Sequence, residues 1–231
     1  MRSSLFGENL ETTSAEAMAL QNPRMLKVRL GDGAGGPSEV LARQGAMVAY
    51  QGQVEFAYEG AGVGRMLKKM VTGEGVPLMR CRGVGDVFLA QDGNELHVLD
   101  LDGGDAVTVN GPNVLAFDPG LQWDIRRVEG ASMFAGGVFN THFSGAGRLV
   151  VSALGTPVVL NTGQAPTYAD LQSAVAWSAS LRTRLVRTAR ASSLIGRGSG
   201  EAFQLAFEGQ GFVVVQASEG PVVPPHNHGS G

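Results

Sequence analysis

The residues able to do chemistry are few, so their spacing decides what to expect of them. Of the four histidines, His226 and His228 stand at i and i+2. On a strand that spacing puts both imidazoles on one face, as a cupin-like metal site requires, with a following Glu and a further His downstream. Here the pair lies in a Pro-rich, Gly-ended stretch with no Glu after it, so no metal or other cofactor is expected. His97 sits in the strand-like run Leu96-His97-Val98-Leu99, and His142 follows Asn140-Thr141; both read as structural. Cys81 lies between Arg80 and Arg82, cations that would lower a thiol pKa. It also opens an apolar β segment, where a small buried thiol packs well. One cysteine makes neither an intrachain disulfide nor a zinc set. Asp100, Asp102 and Asp105 flank Gly103-Gly104 and read as turn solvation rather than an acid–base pair. No Gly-x-Ser-x-Gly elbow is present. No residue is assigned a catalytic role, and the chain is expected not to be an enzyme.

The densest charge is basic: Arg182, Arg184, Arg187 and Arg190, with Arg197 beyond. Arg182 and Arg184 share a strand face, with Leu181, Thr183 and Leu185 on the other. These four arginines form a candidate anion-binding patch, to which Lys68 and Lys69 would add. A single-strand binder interleaves basic residues with stacking aromatics, and no aromatic lies between Trp177 and Phe203. A net charge of −3 also argues against a general nucleic-acid coat. A solvated strand face is therefore the favoured reading, with RNA or anion binding as the alternative.

Behind these residues the pattern is all-β. Hydrophobic residues are 43% of the 231, enough for a large core, and 34 glycines without a collagen period suit short strands joined by tight turns. Leu26–Leu30 alternates apolar and polar as a half-buried strand does. Met47–Tyr50 and Gln53–Tyr58 read as strands around Gln51-Gly52. Arg80–Gln91, Glu95–Leu101 and Ala106–Val109 follow, broken at Asp92-Gly93-Asn94 and Asp102-Gly103-Gly104, both hairpin turns. Glu8–Leu20 aligns Leu10, Ala17 and Leu20 without a wide apolar face, which leaves helix and coil both open. Residues 1–20 contain Glu8, Glu11 and Glu16 and no apolar core, so no signal peptide is expected. No stretch is long and apolar enough to span a membrane. The expected location is the cytoplasm.

Two patterns recur. An aliphatic-Ala-aromatic triplet appears as Val48-Ala49-Tyr50, Leu115-Ala116-Phe117 and Val175-Ala176-Trp177. A Gly-x-Gly followed by an apolar run appears at Gly83-Val84-Gly85, Gly145-Ala146-Gly147 and Gly209-Gln210-Gly211. Gly60-Ala61-Gly62-Val63-Gly64 looks like part of a dinucleotide fingerprint, but the β context lacks the required βαβ unit. The reading is an antiparallel β-sandwich or barrel-like architecture made of three internally repeated β units, the glycines occupying equivalent bends. The runs Leu149-Val150-Val151 and Val213-Val214-Val215 do not alternate, so both of their faces are expected to be covered. Residues 1–24 are read as an N-terminal extension, 25–220 as a single β domain and 221–231 as a flexible C-terminal tail.

Lys69–Gly75, Gly83-Val84-Gly85, Phe88-Leu89-Ala90, Val114–Asp118, Val175-Ala176-Trp177 and Phe207–Gln216, in that order and spacing, resemble the family of altered inheritance of mitochondria protein 24. The resemblance covers about residues 25–218. It implies a fold similar to the tryptophan RNA-binding attenuation protein and, for bacterial members, assembly into trimers. The mitochondrial members are tied to inner-membrane organisation, and without a presequence that role transfers poorly. The resemblance brings no catalytic motif. Together these readings give a non-enzymatic scaffold or binding module that partners itself, most simply as a trimer. An RNA- or anion-binding module and a cupin-like small-molecule enzyme are the alternatives.

Overall fold

The computed structural model describes residues 3–31, 36–58, 77–128, 139–187 and 203–218. A four-residue helix, α1 (Leu5–Glu8), precedes β1 (Met18–Asn22), β2 (Met25–Leu30), β3 (Glu39–Arg43), β4 (Met47–Tyr58) and β5 (Leu78–Leu89). Then come β6 (Glu95–Leu101), β7 (Ala106–Asn110), β8 (Val114–Phe117), β9 (Gln122–Arg127), β10 (Phe139–Ser144) and β11 (Gly147–Ala153). The chain continues through β12 (Val158–Asn161), β13 (Thr167–Asp170), β14 (Ala174–Ser178), β15 (Arg182–Arg187), β16 (Phe203–Glu208) and β17 (Phe212–Val215). Every strand pair with a determined register is antiparallel.

The chain forms two compact units. The first, Met1–Asp105, Pro112–Gln122 and Ser144–Ala153, holds an eight-stranded sheet ordered β1-β2-β5-β3-β8-β11-β6, with β4 also on β5. Strand β5 explains the shape of this sheet. Its second half pairs with β2 (Leu26↔Leu89 to Leu30↔Gly85) and its first half with β3 (Glu39↔Arg82 to Arg43↔Leu78). Its other edge runs along β4 from Met47↔Leu89 to Tyr58↔Met79. The handover from β3 to β2 falls at Gly83-Val84-Gly85, where φ is +129° at Gly83 and +147° at Gly85. A Cβ on Gly83 would stand 2.1 Å from the Gln53 carbonyl oxygen, and one on Gly85 2.0 Å from that of Gln51. The close crossing of β4 and β5 therefore requires glycine at both positions. The core of this unit joins Leu26, Val28, Val40, Cys81, Val87, Leu89, Leu115 and Val150.

The second unit, Ala106–Gly111, Trp123–Phe143 and Leu154–Gly231, contains a six-stranded sheet ordered β12-β17-β14-β7-β10-β9 and a three-stranded sheet ordered β13-β16-β15. Trp177, Leu181, Leu205, Phe207 and Val213 form its core, with the Trp177 and Phe207 rings edge to face at 5.4 Å. That is the favoured geometry for two aromatic quadrupoles.

One pairing pattern occurs in three places. The aromatic residue of each triplet lies opposite the residue two past a Gly-x-Gly: Tyr50↔Val87, Phe117↔Leu149 and Trp177↔Val213. The alanine before it pairs with the next residue, as Ala49↔Phe88, Ala116↔Val150 and Ala176↔Val214. The register then slips at the aliphatic residue each time, at Val48, Leu115 and Val175.

Several expectations are adjusted. Met47–Tyr50 and Gln53–Tyr58 are one continuous strand, because Gly52 at φ +94° passes through the crossing without breaking the pairing. Strand β2 does not alternate: Lys27 is buried beside Leu26 and Val28 because acids neutralise it. Leu149, Val150 and Val151 are buried on both faces, whereas Val214 and Val215 are half-buried. The sheet of the first unit starts at Met18, inside the stretch read as an extension, and the 25–220 span is shared by both units.

Candidate functional site

Strand β15 carries the arginine patch. Arg182 and Arg184 are exposed on one face of it, while Leu185 on the other packs toward the Trp177 core. The patch is not free charge. Glu208 of β16 lies opposite Arg182 in the ladder, and its carboxylate accepts from Arg184 Nε at 2.8 Å. Arg187 ends the strand opposite Phe203. Arg190, Arg197, Lys68 and Lys69 lie outside the described residues. Two of the four arginines are thus placed together on one face, and the Glu208 carboxylate pairs with Arg184.

A stronger electrostatic cluster, formed by residues remote in sequence, lies in the first unit. Arg148, at the start of β11, donates from Nε to Asp100 Oδ1 at 2.6 Å, pairs with Glu16 Oε2 at 2.7 Å and donates to the Met18 carbonyl at 3.1 Å. Its backbone N–H donates to Asp118 Oδ2 at 2.6 Å. The hydrogen bond to Asp100 is the main reason its pKa is raised; burial opposes it, and the charges of Asp100 and Glu16 add to the rise. These groups line an open cavity of about 590 Å³, with Pro37, Asp102 and Asp118 on its wall. Nearby, Lys27 is 7% exposed and pairs with Glu11 and, at 3.1 Å, with Asp86. Burial lowers the Lys27 pKa, but the hydrogen bonds and charges of both acids leave it above the usual lysine value. Glu11, Glu16, Asp86 and Asp100 are each held against a cation and Asp118 against a backbone N–H, so the arrangement ties the segment around Glu11–Met18 to β2 and β11.

Of the remaining candidates, Cys81 lies in the core and Asp100 and Asp105 make hydrogen bonds within the fold. The Cys81 thiol is fully buried, and burial pushes its pKa to about 11, so the flanking arginines do not activate it. Asp105 Oδ2 accepts from the Asp102 N–H at 2.8 Å and the Asp105 N–H donates to the Asp102 carbonyl, closing that turn. Asp100 instead serves Arg148. His142 sits beside Asp124 and Arg126 of β9; burial, then the Arg126 charge, lowers its pKa against a smaller opposing effect of Asp124. His97 Nε2 and His142 Nδ1 are buried without a hydrogen-bond partner. His226 and His228 lie outside the described residues. Among the described residues no three His, Cys, Asp or Glu side chains are grouped to hold a metal ion, and no helix is long and apolar enough to cross a membrane.

A family model described as Mitochondrial biogenesis AIM24 matches residues 18–218. The chain belongs to the AIM24 family. The match begins at Met18, where β1 begins, and ends at Ser218, just past β17. Among solved structures the AIM24 chain resembles protein SPYM3_0169 from Streptococcus pyogenes, with a TM-score of 0.68 and 23% identity over 87% of this chain and 92% of that one. At that identity the likeness concerns the fold. No curated protein gives a significant sequence match.

Proposed function

We propose that this AIM24 chain is a non-enzymatic, homo-oligomeric scaffold or binding module that works in the cytoplasm as a trimer of chains, each built from three copies of one β unit. The observation that carries the reading is the shared pairing of the three triplets: an aromatic opposite the same position past the Gly-x-Gly, with the same slip at the aliphatic residue just before the alanine. The bends agree at five of the six glycines, Gly211 not being at positive φ. Gly83, Gly145 and Gly209 have φ of +129°, +100° and +120°, and Gly85 and Gly147 +147° and +151°. The scaffold reading is supported by how the reactive groups are used. Cys81 is in the core, Asp105 closes a turn, Asp100 and Glu16 hold Arg148, and Glu208 holds Arg184.

Oligomerisation is supported by apolar residues left open on strands: Val48, Tyr50 and Tyr58 on β4, and Val158 and Val159 on β12, all at least half exposed. Open apolar strands invite pairing with other chains, and a symmetric assembly covers them. Light scattering across a tenfold concentration range tests the reading. A particle three times the 24.1 kDa chain mass supports it, and a clean 24.1 kDa species overturns it. Retention of RNA that falls with salt and is lost in Arg182→Ala/Arg184→Ala would instead favour the anion-binding alternative.

A further inference from the structure

The repeated unit reading, on which this inference rests, exposes a missing partner. Each proposed unit contributes a short strand that precedes its triplet: β3, β7 and β13. The first two reach forward to the next unit's triplet. β3 pairs with β8 (Leu41↔Phe117, Ala42↔Ala116), and β7 pairs with β14 (Val109↔Ala176, Thr108↔Trp177). The third short strand, β13, pairs with β16 and has its other edge open among the described residues; the first triplet, on β4, pairs with β5 and is likewise open on its other edge.

Exposure records the difference. Leu115 and Phe117 of the second triplet are 0% and 1% exposed, and Val175 and Trp177 of the third are 0% and 2%. Val48 and Tyr50, at the same positions of the first, are 52% and 50% exposed, and Tyr168 on β13 is 54% exposed. Strand β4 carries neither Lys nor Pro along its twelve residues, the usual protections of an open edge.

We propose that the open edge of β13 pairs antiparallel with the β4 edge of a second copy of this chain, completing between copies the link that β3–β8 and β7–β14 make within one. The register follows from the chain itself. Leu41 lies opposite Arg80 of β5, three residues before Gly83, and Tyr168 lies opposite Ala206 of β16, three residues before Gly209. Tyr168 is therefore the counterpart of Leu41, and Ala169 of Ala42. Because Leu41 faces Phe117 and Ala42 faces Ala116, Tyr168 faces the second copy's Tyr50, and Ala169 its Ala49. The two surfaces differ, so the contact is head to tail and closes into a ring such as a trimer when the rotation per chain allows.

Directly opposed residues on antiparallel strands have Cα atoms roughly 4.5–5.5 Å apart, within disulfide reach. Both tyrosines are exposed, so Tyr50→Cys/Tyr168→Cys leaves the core intact. Cys81 is fully buried and does not compete. Mild oxidation of the double variant, read on non-reducing gels beside light scattering, is expected to give reducible bands of two and three chains, with each single variant staying at one. Tyr168→Asp is expected to release single chains with unchanged circular dichroism, and Tyr50→Lys in the same chain to restore assembly. If the double variant keeps the wild-type mass but no chain-to-chain bond forms, the proposed surface is wrong and the oligomeric reading stands. A disulfide confined to one chain shows that β13 closes on its own β4 and overturns the second copy as partner. A wild-type protein of one chain at every concentration overturns both readings.

Discussion

The crossing of β4 and β5 makes a quantitative prediction about three glycines that differ in what surrounds them. Gly103 lies in a turn with nothing within 4 Å of a built Cβ, and its φ is not positive. Gly45 also has open space but sits at φ +83°. Gly85 sits at φ +147°, and its Cβ would stand 2.0 Å from the Gln51 carbonyl oxygen. Replacing each with alanine separates the contributions. Gly103→Ala only restricts the unfolded chain and should stabilise by up to about 1 kcal/mol. Gly45→Ala adds the cost of a side chain at positive φ, about 1–2 kcal/mol. Gly85→Ala adds to that the displacement of a backbone carbonyl, comparable to overpacking at about 1–3 kcal/mol, for a total of roughly 2–5 kcal/mol. For a chain of this size 1 kcal/mol moves Tm by about 2–4 °C. Gly85→Ala should therefore lower Tm by about 10 °C, Gly45→Ala by about 4 °C, and Gly103→Ala should raise it slightly or leave it unchanged. The assay is far-UV circular dichroism, because both tryptophans lie in the second unit and would miss an event in the first. If Gly85→Ala melts within 2 °C of Gly45→Ala, by the same scaling, the carbonyl collision is not a determinant of the fold.

Cys81 should resist alkylation at pH 8 in the native protein and react within minutes in denaturant, because its thiol is buried and titrates at about 11; fast native labelling would contradict its place in the core. The lowered pKa of His142 means the unfolded chain takes up a proton first as pH falls below 6.5, so stability present above that value is lost on acidification. Melting between pH 7.5 and 5.5 should therefore fall more steeply for wild type than for His142→Gln, and equal slopes would rule that out. Arg148→Met should loosen the segment around Glu16, which its guanidinium and the Met18 carbonyl hold; discounted for the exposed Glu16 carboxylate, cleavage after Glu16 by a Glu-specific protease should rise roughly fivefold.

How much of this was legible in the sequence varies by element. The Gly-x-Gly runs and triplets were readable because each is local, and the φ values at Gly83 and Gly85 give a steric reason for glycine there. Strand β6 was readable to the residue because turns bound it on both sides. Strand β1 was obscured by three glutamates nearby; two of them, Glu11 and Glu16, pair with Lys27 and Arg148 far along the chain. That long-range pairing, together with Asp100 and Asp118, is also why the Arg148 cluster left no mark in the sequence: no short window contains both charges. The arginines of β15 showed their face but not their partner, since Glu208 arrives by the ladder from another strand. Local chemistry is visible in one dimension; neutralisation across a sheet is not.

The path of the chain through the first unit has a consequence for synthesis. Strand β11 lies between β8 and β6, yet it is made after β7, β9 and β10, all assigned at least in part to the other unit. Until residues 144–153 leave the ribosome, β6 lacks the strand partner it has among the described residues, β8 lacks its β11 neighbour, and the space of Leu149 and Val150 in the core is empty. The first unit thus cannot complete itself while its own first half waits, and its strands pass through a period of exposure set by translation speed. A ribosome stalled before residue 144 presents chaperones with two apolar strands that lack their shared neighbour, so premature termination in this stretch yields an aggregation-prone fragment rather than a smaller working protein.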